Sequence, residues 1–104
     1  MSNDLTHRLE NAIRTVPDFP IEGVMFRDIT PVLGKPGLVS SITDQFVEDL
    51  NQLGWRPDVV VGPEARGFIF GPLLADRLGC GFVPIRKPGK LPAPSRRVEY
   101  SLEY

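Results

Sequence analysis

The sequence contains too few cysteines for a disulfide-stabilised protein, and its apolar runs are too short for a membrane-spanning one. Cys80 is the only cysteine among 104 residues, so no intrachain disulfide can form, which fits a reducing cytosol and predicts a cytoplasmic protein. No apolar run approaches the length that crosses a bilayer. Residues 1–10 are polar and charged, unlike a secretory signal. We therefore expect neither a disulfide-stabilised scaffold nor a membrane protein.

The sequence also lacks an excess of either charge. Lys and Arg number 12 and Asp and Glu number 13, which gives a formal net charge of −1. This balance argues against broad binding to nucleic acid or to acidic membranes. Any anion site must be a local cluster of basic residues. The length and the apolar content of 41% allow one domain with a modest core.

The first third of the chain predicts a helix followed by loops. Apolar residues recur at helical spacing from Leu5 to Val16, and Pro17 cannot continue a helix, which predicts an amphipathic helix over 4–15. Residues 17–23 are interpreted as an irregular loop. Residues 24–26 are interpreted as a short strand or an extended loop.

The middle of the chain predicts a helix and then a β-α-β unit. An apolar stripe predicts a helix over 37–53, and Gly54 suits its C-terminal end. The three valines at 59–61 are typical of a strand that is covered on both faces. We predict a strand over 58–62, a buried helix over 67–78 and a strand over 81–86. This order is an α/β arrangement with a parallel, right-handed strand pair. Alternating residues at 98–103 predict a further, half-exposed strand.

Two segments follow the carboxyl ends of the predicted strands, where open parallel sheets bind ligands. Residues 62–67 provide backbone N–H groups at a helix N-terminus beside Arg66, which suits an anion. Their two glycines match the spacing G-x-x-x-x-G. A nucleotide P-loop is excluded, because Phe68 and Ile69 replace its Lys and Ser/Thr. An ordinary strand-to-helix turn with a surface arginine is the alternative.

The second segment, residues 86–90, places Arg86, Lys87 and Lys90 at the same edge. Two basic clusters that converge on one crevice favour a multiply charged ligand such as a diphosphate. A solvated basic loop is the alternative. Asp28 and Glu64 add carboxylates that could orient a base, pair with an arginine or help bind magnesium through water.

Five segments together resemble the adenine phosphoribosyltransferases. They are residues 18–20, 23–29, 64–68, 86–92 and 100–104, and they occur in the order and at the spacing of that family. The resemblance implies part of a type I phosphoribosyltransferase fold, a parallel sheet flanked by helices. It also implies a single incomplete domain with a helix and base-binding hood (1–35), a helix plus β-α-β unit (36–87), and a lid loop with a strand (88–104).

The resemblance implies a reaction of purine salvage. Adenine and 5-phosphoribosyl 1-diphosphate (PRPP) give AMP and diphosphate, with Mg²⁺ bound mainly through the diphosphate and no dedicated metal ligands in the protein. A cytoplasmic homodimer is the usual assembly of the family. Two alternatives stay open: a non-catalytic nucleobase- or nucleotide-sensing module on the same fold, and a sibling enzyme for xanthine or another base.

The resemblance also implies a role for individual residues. Phe26 would stack on adenine, while the backbone of Met25 and Arg27 would read the edge of the base. The family tends to carry a non-proline cis peptide in its diphosphate loop, here between Glu64 and Ala65. The residues expected to bind the diphosphate are Glu64, Ala65, Arg66, Arg86, Lys87 and Lys90. Glu103 resembles the acid/base beside the imidazole ring of adenine, and Tyr104 resembles the aromatic residue that closes over the reaction centre.

One family signature does not occur in these residues. It is a strand ending in two acidic residues, followed by a loop Ala-Thr-Gly-Gly-Thr that holds the ribose 5-phosphate. The only adjacent acidic pair, Glu48-Asp49, lies inside a helical pattern. We therefore expect the sequence to be either a fragment of a longer enzyme or a truncated product, and to make no detectable AMP by itself.

Overall fold

A computed structural model describes residues 3–92 and 95–97 of the chain. Its elements, in chain order, are α1 (Asn3–Ala12), β1 (Arg14–Pro17), β2 (Met25–Asp28), α2 (Thr30–Leu33), α3 (Leu38–Leu53), β3 (Val59–Pro63), α4 (Gly67–Leu78) and β4 (Gly81–Ile85). β1 and β2 pair antiparallel, and β3 and β4 pair parallel. Within these described ranges, no helix is long and apolar enough to cross a bilayer. The predicted strand at 98–103 lies outside the described residues.

The N-terminal helix is shorter than its apolar spacing predicts. α1 ends at Ala12, and Arg14–Pro17 form β1, so the prediction of a helix to residue 15 is wrong. Val16 instead lies opposite Phe26 in the strand pair. Pairing with β2, which is distant in sequence, satisfies the backbone of β1 and overrides the local helical pattern.

A tight, irregular loop joins β1 to β2, as predicted. Asp18 has a φ of 56° and the Phe19–Pro20 peptide bond is cis. The Asp18 carboxylate accepts a hydrogen bond from the Gly23 backbone N–H at 2.9 Å. Asp tolerates the left-handed region because its side chain bonds nearby backbone in this way. The loop and β2 together form the segment predicted to be the hood.

The main hydrophobic cluster lies between the first three helices. Leu5 and Ala12 of α1 are buried with Val32 of α2 and Leu38 of α3. α3 follows the predicted range closely, and Gly54 after it has a φ of 73°, the left-handed conformation that ends helices. This cluster anchors the hood strands through α1 and α2.

The parallel strand pair is covered by α4 on one face only in the described part of the chain. Val59 and Val61 of β3 are 44% and 50% exposed, and Val83 and Ile85 of β4 are 49% and 51% exposed. The register places all four on one face. The prediction that the valine run is covered on both faces is therefore wrong within residues 3–92 and 95–97, since α4 packs on the opposite face.

The helix that packs on β3 and β4 agrees with its predicted range. α4 spans Gly67–Leu78 and includes Pro72 without a break. It buries only Gly71 and Ala75, while Leu73 is 44% exposed. The prediction of a helix buried nearly all round is thus wrong, because α4 lies on the outside of the strand pair.

Candidate functional site

The turn from β3 to α4 is shaped by a close contact between two glycines. A Cβ atom added to Gly62 would lie 2.7 Å from the Gly67 carbonyl oxygen, and one added to Gly67 would lie 2.8 Å from Gly62 Cα. Only glycine lets the backbone approach so closely. The strand end and the helix start are therefore held together, and residues 63–66 project as a short loop.

This loop carries the cis peptide that the family resemblance implies. The bond between Glu64 and Ala65 is cis, although no proline follows it. The Glu64 backbone N–H donates to the Ile85 carbonyl at 3.1 Å. The loop is therefore attached to the end of β4, where the second basic segment begins.

A further glycine places α4 against β4. A Cβ added to Gly71 would lie 2.2 Å from Cε1 of Phe82, so no larger residue fits there without displacing the ring. Phe68, in the first turn of α4, packs its ring at 6.0 Å from Phe82 in an edge-on arrangement. The Arg86 guanidinium lies 5.9 Å from the centre of the Phe68 ring. The helix N-terminus and the basic segment after β4 are thereby brought side by side.

The side chain of Glu64 joins the two loops at this sheet edge. One carboxylate oxygen accepts the Lys87 backbone N–H at 3.0 Å. The other lies 3.7 Å from Arg86 Nε and 3.8 Å from Lys90 Nζ. The Lys87 hydrogen bond, and then the nearby cations, lower the pKa of the Glu64 carboxyl. Glu64 is therefore ionised at neutral pH and surrounded by three basic residues.

Arg66 points to the hood rather than to this cluster. Its guanidinium donates to the Arg27 carbonyl oxygen at 3.2 Å and lies 5.3 Å from the centre of the Phe26 ring. Phe26 also receives the edge of Phe19, with ring centres 5.1 Å apart. Cation–π and edge-to-face contacts of this kind hold aromatic rings in a defined orientation. Arg66 therefore links the cis-peptide loop to the segment predicted to be the adenine hood.

The hood and the loop enclose one cleft of about 530 Å³. Its lining residues are Pro20, Val24, Met25, Phe26, Arg27, Pro63, Glu64, Ala65, Arg66 and Gly67. The volume is in the range of small-molecule sites, which combine apolar walls with a few oriented polar groups. Six of the residues that the sequence predicts to bind ligand therefore share one cleft.

The remaining predicted residues fall into two groups. Arg86, Lys87 and Lys90 gather around Glu64, adjacent to the cleft, and do not line it. Arg66 contacts the hood, whereas the other three basic residues contact Glu64. That all four cations face one ligand crevice stays a prediction. Glu103 and Tyr104 lie outside the described residues.

Asp28 has a structural partner that the sequence alone did not choose. Its carboxylate pairs with Arg14 and accepts the Thr30 backbone N–H at 2.9 Å. The side-chain hydrogen bond with Thr30, followed by the bond with Arg14, lowers the pKa of Asp28 to about 2. Of the roles left open for this residue, pairing with an arginine is the one observed. The carboxylate thus joins β1, β2 and the start of α2.

The low pKa of Asp28 makes a testable prediction about acid stability. The pKa is lower in the folded chain than its ordinary value of 3.8, so the stabilisation is complete above about pH 4 and is lost as pH falls towards 2. We expect Asp28→Asn to lower the unfolding midpoint at pH 7, and the difference from the parent chain to shrink between pH 4 and pH 2. Urea unfolding followed by circular dichroism measures this.

Asp58→Asn is the matched control for that measurement, because Asp58 is an exposed residue that undergoes the same chemical change. It should leave the midpoint unchanged at every pH. A constant difference between Asp28→Asn and the parent chain from pH 7 to pH 2 would contradict the assigned pKa.

Sequence signals for the glycine contacts and for Arg14 were incomplete. The spacing of Gly62 and Gly67 is visible in the sequence, but it suggests phosphate binding as readily as close backbone packing. Gly71 and Arg14 carry no local signal, because their partners, Phe82 and Asp28, are distant in the chain.

No family model matches the chain, but comparison with known proteins finds several similar ones. The adenine phosphoribosyltransferase of Synechocystis sp. is 53% identical over 96 residues, which are 92% of this chain and 56% of that protein. The crystal structure of the Thermoanaerobacter pseudethanolicus adenine phosphoribosyltransferase superposes with a TM-score of 0.85 at 47% identity, over 94% of this chain and 56% of the other.

A third relative was crystallised with ligands. The Saccharomyces cerevisiae adenine phosphoribosyltransferase, complexed with an imino-altritol bisphosphate and adenine, matches with a TM-score of 0.82 at 42% identity, over 89% of this chain and 56% of that one. The chain thus spans about half the length of the relatives it matches. The α/β fold of this chain, with parallel strands packed against helices, agrees with the fold of these relatives, and the level of identity supports the same relationship. This chain is a homologue of adenine phosphoribosyltransferase, and it matches the N-terminal part of that enzyme.

Proposed function

We propose that these residues form the adenine- and diphosphate-binding part of an adenine phosphoribosyltransferase of purine salvage. The enzyme would convert adenine and PRPP to AMP and diphosphate. The observation that carries this proposal is the contact of Arg66, in the cis-peptide loop, with Phe26 and Arg27 of the hood. It brings a cation and an aromatic ring to one cleft, which is what a base and a phosphorylated sugar together require.

The hood supplies recognition of the base. The Phe26 ring is half-buried at the cleft and offers a surface on which adenine stacks. The backbone of Met25 and Arg27 lies beside it and would hydrogen-bond to the edge of the base. Stacking together with backbone hydrogen bonds suits an uncharged, planar ligand.

The two loops at the sheet edge supply the charge for the diphosphate. Arg66 and the backbone of residues 64–65 would hold it from one side, and Arg86, Lys87 and Lys90 from the other. Cations placed where negative charge develops stabilise a departing diphosphate. Among residues 3–92 and 95–97 there is no group of three His, Cys, Asp or Glu that would hold a metal ion. By the family resemblance, magnesium would enter bound to the substrate diphosphate, whose oxygens are ligands that it prefers.

The C-terminal residues of the sequence would complete the chemistry. Departure of diphosphate leaves a sugar with oxocarbenium character, which water would capture in an open site. Residues 88–104 would act as the lid, with Glu103 managing the proton of the base and Tyr104 closing the reaction centre. By the same family resemblance we propose a cytoplasmic homodimer.

A chimeric protein tests this function. In it, residues 1–104 are followed by the remaining part of the Synechocystis relative. We expect it to make AMP from adenine and PRPP, and Arg66→Ala to lower kcat/KM by about 10²–10³-fold, as for loss of a charge-stabilising group. Residues 1–104 alone should make no AMP, because they contain no Ala-Thr-Gly-Gly-Thr loop.

Arg56→Ala, which alters an exposed arginine before β3, is the control and should leave the rate unchanged. Binding of adenine and PRPP without turnover in the chimera would favour the sensing module instead. Equal activity of the parent chimera and Arg66→Ala would refute the role of this loop.

A further inference from the structure

Glu64 makes two different kinds of contact at the edge of the parallel strand pair. Its bond to the Lys87 backbone N–H has a length of 3.0 Å, that of an ordinary hydrogen bond. Its distances to Arg86 and Lys90, 3.7 and 3.8 Å, are ion-pair distances too long for a hydrogen bond. The carboxylate therefore anchors the loop backbone firmly and holds the two side-chain cations loosely.

The two cations are accessible to solvent. The side chains of Arg86 and Lys90 are 35% and 49% exposed, whereas that of Glu64 is 22% exposed. Arg86 also donates to the Lys90 carbonyl at 3.1 Å and lies over the Phe68 ring. These contacts keep its guanidinium close to the edge, and within residues 3–92 and 95–97 its anionic partner is Glu64. A phosphate oxygen can approach such a cation to about 2.8 Å, closer than Glu64 does.

We propose that the Glu64 carboxylate is a built-in counter-ion, which occupies Arg86 and Lys90 when no ligand is bound and yields them to an incoming diphosphate. This rests on the proposed function, since it assigns the diphosphate to this edge. The exchange orders the cations in advance at the cost of affinity, because the ionised carboxylate stays beside the ligand and repels it. Glu64 is thus a positioning residue that weakens binding of the diphosphate and so favours its release.

Glu64→Gln separates the two contacts. The amide keeps an oxygen that accepts the Lys87 N–H but removes the negative charge. We expect the 104-residue chain with this change to bind inorganic pyrophosphate more tightly than the parent chain, by about three- to tenfold in Kd at ~0.05 M salt. Isothermal titration calorimetry measures the Kd of the variant and of the parent chain. The ratio should fall towards one at ~1 M salt, where screening removes the repulsion.

Two further variants distinguish charge from loop structure. Glu48→Gln makes the same change on the exposed face of α3 and should leave the Kd unchanged. Glu64→Ala removes both the charge and the anchor, and should bind less tightly than Glu64→Gln. A merely structural role for Glu64 would make both of its variants weaker than the parent chain.

The outcomes also separate this inference from the proposed function. If the parent chain binds pyrophosphate and Glu64→Gln binds no more tightly, the counter-ion role is refuted and the diphosphate site stands. If neither chain binds pyrophosphate, both proposals fall.

Discussion

The Gly62→Ala variant is expected to unfold about 10 °C or more below the parent chain. The added methyl group would lie 2.7 Å from the Gly67 carbonyl oxygen and 2.9 Å from the Phe82 ring. Backbone cannot move aside as a flexible side chain can, so β3 and α4 must separate. Overpacking of this kind costs about 1–3 kcal/mol or more, and about 1 kcal/mol shifts the midpoint of a domain this small by roughly 4–8 °C.

Gly81→Ala is the matched control, because Gly81 begins β4 and a methyl group added to it would have nothing within 4 Å. It should leave the midpoint unchanged or raise it slightly, since alanine restricts the unfolded chain. Thermal unfolding followed by circular dichroism compares the three proteins. Equal midpoints for the two alanine variants would show that the strand and helix are not held as closely as described.

The Glu103→Gln variant of the chimeric enzyme is expected to lose at least about 100-fold in kcat, with little change in adenine binding. By the family resemblance, we propose that Glu103 accepts or donates the proton on the imidazole nitrogen of adenine. Positioned acid/base catalysis contributes about 10²–10⁴-fold to a rate. Gln keeps the shape and a hydrogen bond but cannot transfer the proton.

Glu99→Gln provides the comparison for this variant. Both residues follow the alternation predicted for 98–103, and Glu99 has no implied role in the reaction. Steady-state rates should be measured at saturating magnesium, so that weaker metal binding is not mistaken for lost proton transfer. Near-neutral kinetics for both variants would refute the acid/base role of Glu103.

Local sequence signals located the helices that end at glycine. Gly54 and Gly79 both adopt the left-handed conformation that follows a helix, with φ of 73° and 75°. The ends of α3 and α4 therefore agree with their predicted positions. The end of α1 does not, because no glycine follows it and its boundary depends on β1 pairing with β2.

Patterns of hydrophobicity were less informative about what covers an element. A run such as Val59–Val61 shows that a strand is apolar on both faces, but it does not say whether a neighbour packs there. In the described part of the chain only α4 does so, which leaves Val59 and Val61 half-exposed.

The sequence by itself indicated the resemblance to adenine phosphoribosyltransferase, because segments such as 64–68 and 86–92 occur in the order and at the spacing of that family. It also determined that two basic segments leave parallel strands at one edge, since the β-α-β order leaves no other arrangement. These conclusions depend on order and local chemistry, which can be read along the chain.

Only the tertiary structure decided which charged groups meet. Asp28 forms an ion pair with Arg14, and Arg66 lies over the Phe26 ring of the hood. Glu64 contacts the basic segment after β4. Each of these contacts joins residues at least 14 positions apart. Their partners are selected by strand register and by the close approach of Gly62 to Gly67. Such choices depend on distances in space, which sequence separation does not encode.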